Sequence, residues 1–276
     1  MLTEAQFAIV AREAKQRIGL ALTHERLASV DARLTPLARR ENCACAGELI
    51  SMIQRQGDDM LWHGVVDALV MSDTHFFRDR AQFRALGETI IPDLLRGRPA
   101  HARLRVWSAG CAAGQEPYSL AILLEEMREE GRGGLVDILA TDISSRVLDK
   151  AASGLFSQFE VQRGLSIRRL IAHFERVGEM WRIADRLRAA VRFETHNLLV
   201  DAAQLGPFDL VLCRNVLSSF DETDRRETLE RIAAAMSEDG VLVLGAEEDY
   251  ASLTGAFEAA HGACVMRRNA YWRRAA

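Results

Sequence analysis

Three short stretches of this sequence put chemistry-bearing residues directly after runs that should be strands. Ser108-Ala109-Gly110-Cys111-Ala112-Ala113-Gly114 follows Leu104, Val106 and Trp107, with Glu116 close behind. Asp142 stands 28 residues after Gly114, behind the apolar run Leu135–Ala140. Arg214 and Asn215 follow Phe208–Cys213. Open parallel sheets bind ligands beyond the carboxyl ends of their strands, so these loops are where a ligand is expected. Gly110 and Gly114 clear side-chain bulk where a ligand must touch backbone, and the next helix opens with unpaired N–H groups. An acidic side chain after the second strand can accept hydrogen bonds from both hydroxyls of a ribose.

The loop does not read as a dinucleotide site. Its glycines are spaced Gly-x-x-x-Gly, not Gly-x-Gly-x-x-Gly. Glu116 falls in the first helical turn, where a pyrophosphate would lie; a carboxylate there repels phosphate but suits a cationic amino group. A ligand with a ribose, a positive amino group and no phosphate is S-adenosylmethionine. Singly, each acid also has a structural reading: Glu116 suits a helix dipole, and Asp142 a cap. Together, at successive strand ends, they point to the nucleoside. His75 and His196 have no evident partner and receive no role. Cys43-x-Cys45 lacks the second pair or histidine cluster of a zinc site, so no metal is expected.

Three such loops at one sheet edge require alternating strands and helices, which residues 99–276 supply. The periods predict helices from Glu116 to about Glu130, over Ser145–Ser153 and over Glu222–Met236. Strands are expected over Leu135–Ala140, Phe208–Cys213 and Val241–Gly245, with Met266–Trp272 a last, antiparallel one. Residues 158–195 break the rhythm. Ile171, His173, Phe174, Arg176 and Val177 read as a strand, Met180–Ala184 and Val191–Thr195 as two more. A tight turn at Val177-Gly178-Glu179-Met180 completes a small antiparallel insertion. Residues 1–98 read as helices instead. Phe7, Val10, Ala14 and Ile18 keep a three-to-four period; Thr23 is placed to cap a second helix, which Pro36 should bend or restart. Helices over about Ala46–Gln56 and Leu61–Val70 flank a turn at Gly57-Asp58-Asp59. The fold class is therefore α/β: a Rossmann-like sheet over 99–276, a helical domain over 1–98, and a β-subdomain inserted at 158–195.

Composition bounds the partners. A chain of 276 residues with 49% hydrophobic and 27% charged residues makes one large domain or two small ones. The formal net charge of -4 disfavours nucleic acid. No run approaches 18 apolar residues and the start lacks a signal-peptide pattern, so no membrane insertion is expected. Five cysteines, an odd number at irregular spacing, fit a reducing cytoplasm. Through residue 105 the chain holds 15 basic and 13 acidic residues, and beyond it 20 and 26. Arg26, Arg33, Arg39 and Arg40 are spaced to share much of one outer helix face, whose plain reading is a solvated surface.

VWSAGCAAGQEPYSLAILL at 106–124 resembles the nucleotide-binding loop of the chemotaxis receptor methyltransferases, the CheR family. THFFRD at 74–79, ATDIS at 140–144, NL at 197–198, FDLVLCRNVL at 208–217 and FD at 220–221 resemble its other motifs, in order, and GVLVLGAEE at 240–248 its closing strand. The resemblance implies a class I methyltransferase that moves a methyl from S-adenosylmethionine to receptor glutamates, leaving S-adenosylhomocysteine. Ser72, Thr74 and Arg78 would then meet the methionyl end, Arg78 at its carboxylate. Glu116 would hold the amino group or line that end of the pocket, Gly110 and Asp142 would meet the nucleoside, and Asn197 and Leu198 the adenine. Arg214 and Asn215 would close the pocket beside the transferred methyl, and Arg98 joins them as a catalytic candidate. Arg26, Arg33, Arg39 and Arg40 would face the acidic methylation helices of a cytoplasmic receptor region, from a monomeric enzyme recruited to receptor arrays.

Three departures from the family pattern bear on activity. Ser72 replaces the usual asparagine, which should weaken cofactor binding without abolishing it. Ser219 replaces a tyrosine expected near the reacting methyl, so the alternative is a cofactor-binding signalling protein or sensor with weak or lost transfer. The short turn at Gly178 resembles members that do not dock on a receptor's C-terminal pentapeptide.

Overall fold

Thr3 and Gln6 close a capping box, each side chain accepting the other's amide. That starts α1 (Glu4–Ile18), and Gly19 ends it in the left-handed conformation. Phe7, Val10, Ala14 and Ile18 are its buried stripe. The computed structural model describes residues 1–57, 59–70, 73–96, 98–99, 101–260 and 264–269. The chain forms two compact units, residues 1–71 with 218–227, and residues 72–217 with 228–276. Residues 73–96, read from sequence with the helical part, thus cluster with the larger unit.

The first unit holds α1, α2 (Leu27–Arg40), α3 (Ala46–Gln56) and α4 (Asp59–Leu69). Leu34, Leu49, Ile50 and Ile53 are its fully buried centre. One sequence expectation fails here: Thr23 makes no side-chain cap and precedes only a 3-10 turn, His24–Arg26. Pro36 does not restart the segment, since α2 runs through it. Pro36 and Ala32 are both exposed, so the carbonyl that the proline leaves unpaired can turn to water. Residues 218–227 are tied in by the Ala21 amide, which donates to the Ser219 carbonyl at 2.9 Å, and by Lys15 against Asp221 at 2.5 Å.

The second unit opens with α5 (Arg80–Ala85), one π-helical turn (Leu86–Ile90) and α6 (Ile91–Leu95). Then β1 (Arg103–Ala109), α7 (Gln115–Glu129), β2 (Leu135–Asp142) and α8 (Ser145–Ser153) follow in the predicted alternation. After the insertion come β6 (Val191–Thr195), β7 (Phe208–Cys213), α12 (Glu222–Ala234, counted with this unit from Thr228 on), β8 (Met236–Leu244), β9 (Phe257–Ala259) and β10 (Val265–Arg268). The strands form one sheet in the order β6-β2-β1-β7-β8-β10-β9. The first five run parallel, and β10 runs antiparallel to both neighbours. All six residues of β7 are buried, as befits a strand covered on both faces. Residues 270–272, expected in the last strand, lie outside the described residues.

The insertion is built differently from its sequence reading. It holds β3 (Leu155–Ser157), α9 (Gln158–Gln162), α10 (Ile167–His173), β4 (Phe174–Val177), β5 (Met180–Ile183) and α11 (Asp185–Arg188). Ile171 and His173 are helical, because Ser166 caps α10 by accepting the Arg169 amide. The small sheet is β3-β5-β4, closed by the two-residue turn at Gly178. Val191–Thr195 does not belong to it. As β6 it pairs parallel with β2, Ile138 opposite Val191. A five-residue strand shows its alternation but not which sheet will take it.

Candidate functional site

Strands β2, β1 and β7 are neighbours, with Ser108 paired to Ala140 on one side and Leu212 on the other. The three sequence-predicted loops therefore leave adjacent strand ends. The Gly110 and Cys111 amides both donate to the Thr141 carbonyl, at 2.8 and 2.9 Å. Gly110 has φ +73°, and a Cβ there would lie 2.5 Å from Val216 Cγ2, so neither conformation nor space admits a larger residue. Asp142 is 6% exposed. One oxygen accepts the Ala112 amide at 2.9 Å and the other the Ser144 amide at 3.0 Å, which fixes both loops against each other. An ionised carboxylate accepts about four donors in all, so ribose hydroxyls are compatible with these bonds. The His196 amide donates to the Asp142 carbonyl at 3.1 Å, bringing Asn197 and buried Leu198 beside the same strand end. Asn197 Oδ1 accepts the Leu199 amide at 3.0 Å.

Arg214 ties the site together. Its side chain is 2% exposed. Nε donates to Gln82 Oε1 at 2.8 Å, Nη1 to Glu116 at 3.0 Å, and Nη2 to the Arg78 carbonyl and the Asp79 carboxylate at 2.7 and 2.8 Å. The guanidinium thus joins β7, α5, α7 and the 74–79 loop. Glu116, the expected amino-group partner, also accepts from Ser108 at 2.7 Å. Asn215 has φ +60°, and its amide donates to Glu248 at 2.8 Å. Glu248 is 3% exposed and also accepts the Gly245 amide, binding the loops after β7 and β8.

The 74–79 loop carries two non-glycine residues in the left-handed region, Phe77 (φ +48°) and Asp79 (φ +58°). Thr74 and Arg78 are half-buried, and Arg78 donates to the Asp73 carbonyl at 3.1 Å. Ser72 lies outside the described residues. Sequence reasoning missed Gln82, Asp79 and Glu248 as site partners. It also missed Gln115, 2% exposed, whose side-chain oxygen has no hydrogen-bond partner at the start of α7. A buried acceptor left open suits an incoming N–H or O–H donor.

Arg98 is not brought to this site. It grips Asp209 through two bonds of 3.0 and 2.7 Å at the opening end of β7, whereas the site lies at the closing end. The Arg105 amide and the Ser237 hydroxyl complete that carboxylate. Burial pulls the Asp209 carboxyl upward, but the Arg98 pair and these donors outweigh it and hold it below its ordinary value. A group with a lowered folded pKa stabilises above its unfolded pKa and loses that contribution as pH falls through the folded one. Arg98→Met is expected to cost about 2 kcal/mol at neutral pH, less than a fully buried pair because Arg98 is partly exposed. The cost shrinks below about pH 4, and S-adenosylhomocysteine affinity is unchanged. Urea melts at two pH values with calorimetry check this; a large loss of affinity would return Arg98 to the active site.

The remaining electrostatics are those of a covered site. Burial pushes the Cys111 and Cys213 thiols well up and the His75 and His196 imidazoles down. Among the described residues no group of three or more His, Cys, Asp or Glu could hold a metal ion. None of the described helices is long and apolar enough to cross a membrane.

Residues 72–265 match the family model "CheR methyltransferase, SAM binding domain". The chain belongs to the CheR methyltransferase family. Its CheR domain binds S-adenosylmethionine, and the family span covers every loop described above. The chain is 37% identical over 234 residues to chemotaxis protein methyltransferase Cher2 of Pseudomonas putida, covering 83% of this chain and 85% of that one. It is 38% identical to chemotaxis protein methyltransferase 1 of Pseudomonas aeruginosa, with the same coverage of both chains. It is 30% identical to chemotaxis protein methyltransferase 1 of Vibrio cholerae over 93% of this chain and 94% of that one. As a CheR domain, the site sets buried Asp142 at the end of β2 and Glu116, beside the open acceptor of Gln115, at the start of α7.

Proposed function

We propose that this chain transfers the methyl group of S-adenosylmethionine to glutamate side chains in the cytoplasmic helical region of chemotaxis receptors. The observation that carries this reading is the Asp142–Ala112–Ser144 cradle beside Glu116 within the CheR domain. The names of the three relatives, all chemotaxis methyltransferases, support the chemotaxis setting. S-adenosylmethionine, when bound, would supply an electrophilic sulfonium methyl for a glutamate oxygen, with S-adenosylhomocysteine as the leaving group.

Asp142 holds the ribose, Asn197 and Leu198 meet the adenine, and Thr74 and Arg78 bind the methionyl end. Gln115 and Glu116 share the amino group. Arg214 acts by holding these loops, since its guanidinium is already occupied by four acceptors. A glutamate has a pKa of about 4.3, so the nucleophile is ionised at neutral pH and needs no general base. Alignment and partial desolvation of that carboxylate supply the rate.

The helical part, with its bounds drawn in to residues 1–71, serves as the receptor-facing domain of a monomeric cytoplasmic enzyme. Arg26, Arg39 and Arg40 are exposed, while half-buried Arg33 donates to the Leu69 carbonyl at 3.3 Å. The two-residue turn between β4 and β5 favours receptor engagement without a pentapeptide tether. The test is transfer of labelled methyl to receptor-containing membranes, followed by mild alkali. Alkali-labile label on receptor protein is expected, and its loss in Asp142→Ala ties it to the site. Absent label, with cofactor binding intact, excludes receptor glutamate as the acceptor.

Ser219 favours a second reading, a cofactor-binding signalling protein with weak transfer. Ser219→Tyr separates the two. A turnover gain of about tenfold or more, or roughly 1.4 kcal/mol of barrier, marks a weakened enzyme, and unchanged turnover marks an intact variant site.

A further inference from the structure

The 74–79 loop is strained and is held in place by one stripe of α7. An aromatic residue at positive φ is unfavourable and persists only where its surroundings enforce it. Phe77 and Asp79 both sit there. Glu116, Ser119 and Glu126 are spaced three and seven residues apart, so they face the same way along α7. Ser119 Oγ accepts the Phe77 amide at 2.9 Å. Glu116 engages Arg214, which binds the Arg78 carbonyl and Asp79. Glu126 engages Arg169 in a two-bond fork of 2.9 and 2.8 Å, and the Arg169 guanidinium carbon lies 3.8 Å from the centre of the Phe77 ring. Phe77 is otherwise buried, edge-on against Phe83.

Arg169 is unlike the other two supports because it comes from α10, inside the insertion, and lies in none of the motif stretches. We propose that Arg169 is a positioning residue for S-adenosylmethionine recognition: it clamps Phe77 and so holds Thr74 and Arg78 where they meet the methionyl end. This rests on the assignment of Thr74 and Arg78 to that end. The fork fixes the guanidinium plane and the ring face receives its charge, so neither contact is replaceable by a neutral side chain. It follows that the small subdomain is mechanically linked to the cofactor loop, and whatever engages the subdomain bears on cofactor affinity.

The test is calorimetric titration of the full chain with two ligands. S-adenosylhomocysteine carries the methionyl end, whereas 5′-methylthioadenosine keeps adenine, ribose and sulfur but lacks the amino-acid end. Arg169→Gln is expected to weaken S-adenosylhomocysteine about five- to tenfold and to leave 5′-methylthioadenosine unchanged. Arg169→Lys recovers only part, since an ammonium keeps the charge but not the fork. Phe77→Leu produces a similar loss, and the double variant is no worse than either single one. Equal weakening of both ligands, or no weakening in Arg169→Gln, overturns the clamp. Arg78→Ala separates the two layers. If it leaves S-adenosylhomocysteine tight, the loop assignment fails and the clamp with it. If it weakens that ligand while Arg169→Gln does not, the clamp alone falls.

Discussion

Arg214→Met is expected to lower stability by about 3–5 kcal/mol and to reduce S-adenosylhomocysteine binding below detection. The side chain is 2% exposed and has four hydrogen-bonding partners on three segments of chain. Methionine fills much of the volume but leaves Glu116 and Asp79 without their cation. Asp79 is 29% exposed and can take water, while Glu116, at 12%, has little access to it. The cost therefore falls chiefly on Glu116, with Ser108 its remaining donor. Arg214→Lys should fare little better, since one ammonium cannot span Gln82, Glu116 and Asp79 with the geometry of a planar fork. Urea denaturation of wild type and both variants, with calorimetry, measures the effect. A Lys variant with wild-type stability and affinity would show that charge alone, not geometry, matters at this position.

The second large effect is expected at Asp142. Asp142→Ala removes the acceptor for two backbone amides in a buried setting, a loss of about 1–3 kcal/mol. It also removes the partner proposed for the ribose, where charge-assisted bonds contribute about 1.5–3 kcal/mol each. Cofactor affinity should fall at least about 100-fold, the equivalent of roughly 2.8 kcal/mol. Asp142→Asn separates the two roles: an amide can accept one loop amide but offers an N–H toward the other. A ligand lacking the 2′-hydroxyl provides the cross-check. It should bind wild type more weakly and lose much less in Asp142→Ala. Equal losses for both ligands would mean that Asp142 acts through the loops alone.

The strand-loop-helix parts of the site were readable because each is local. Gly110, Glu116, Asp142 and Arg214 sit at the ends of apolar runs whose period declares the element, and an open sheet brings such ends together. What holds them was not readable. Arg214 reaches Glu116 across 98 positions and Gln82 across 132, and no periodicity encodes a contact at that range. Arg98 shows the converse hazard. An unexplained arginine looked catalytic until its partner, 111 positions away at the other end of a strand, was visible. Val191–Thr195 had the right alternation but the wrong expected neighbour, since a strand's pattern says nothing of its sheet. The Ser166 cap was the local signal that separated α10 from the strand read there.

The placement of β6 also has a consequence for how this molecule behaves in a crowd. As the outermost parallel strand it hydrogen-bonds to β2 on one side and, among the described residues, to no further strand on the other. Such a margin is a template on which another chain can continue the ladder, and its short length and charge decide whether that happens. β6 has five residues, and Arg192 and Glu194 form an ion pair at 2.7 Å along it. A second chain docking there would have to strip water from both charges. The strand that sequence alone could not place thus carries its own safeguard against edge-to-edge polymerisation, independent of anything the methyl-transfer site requires.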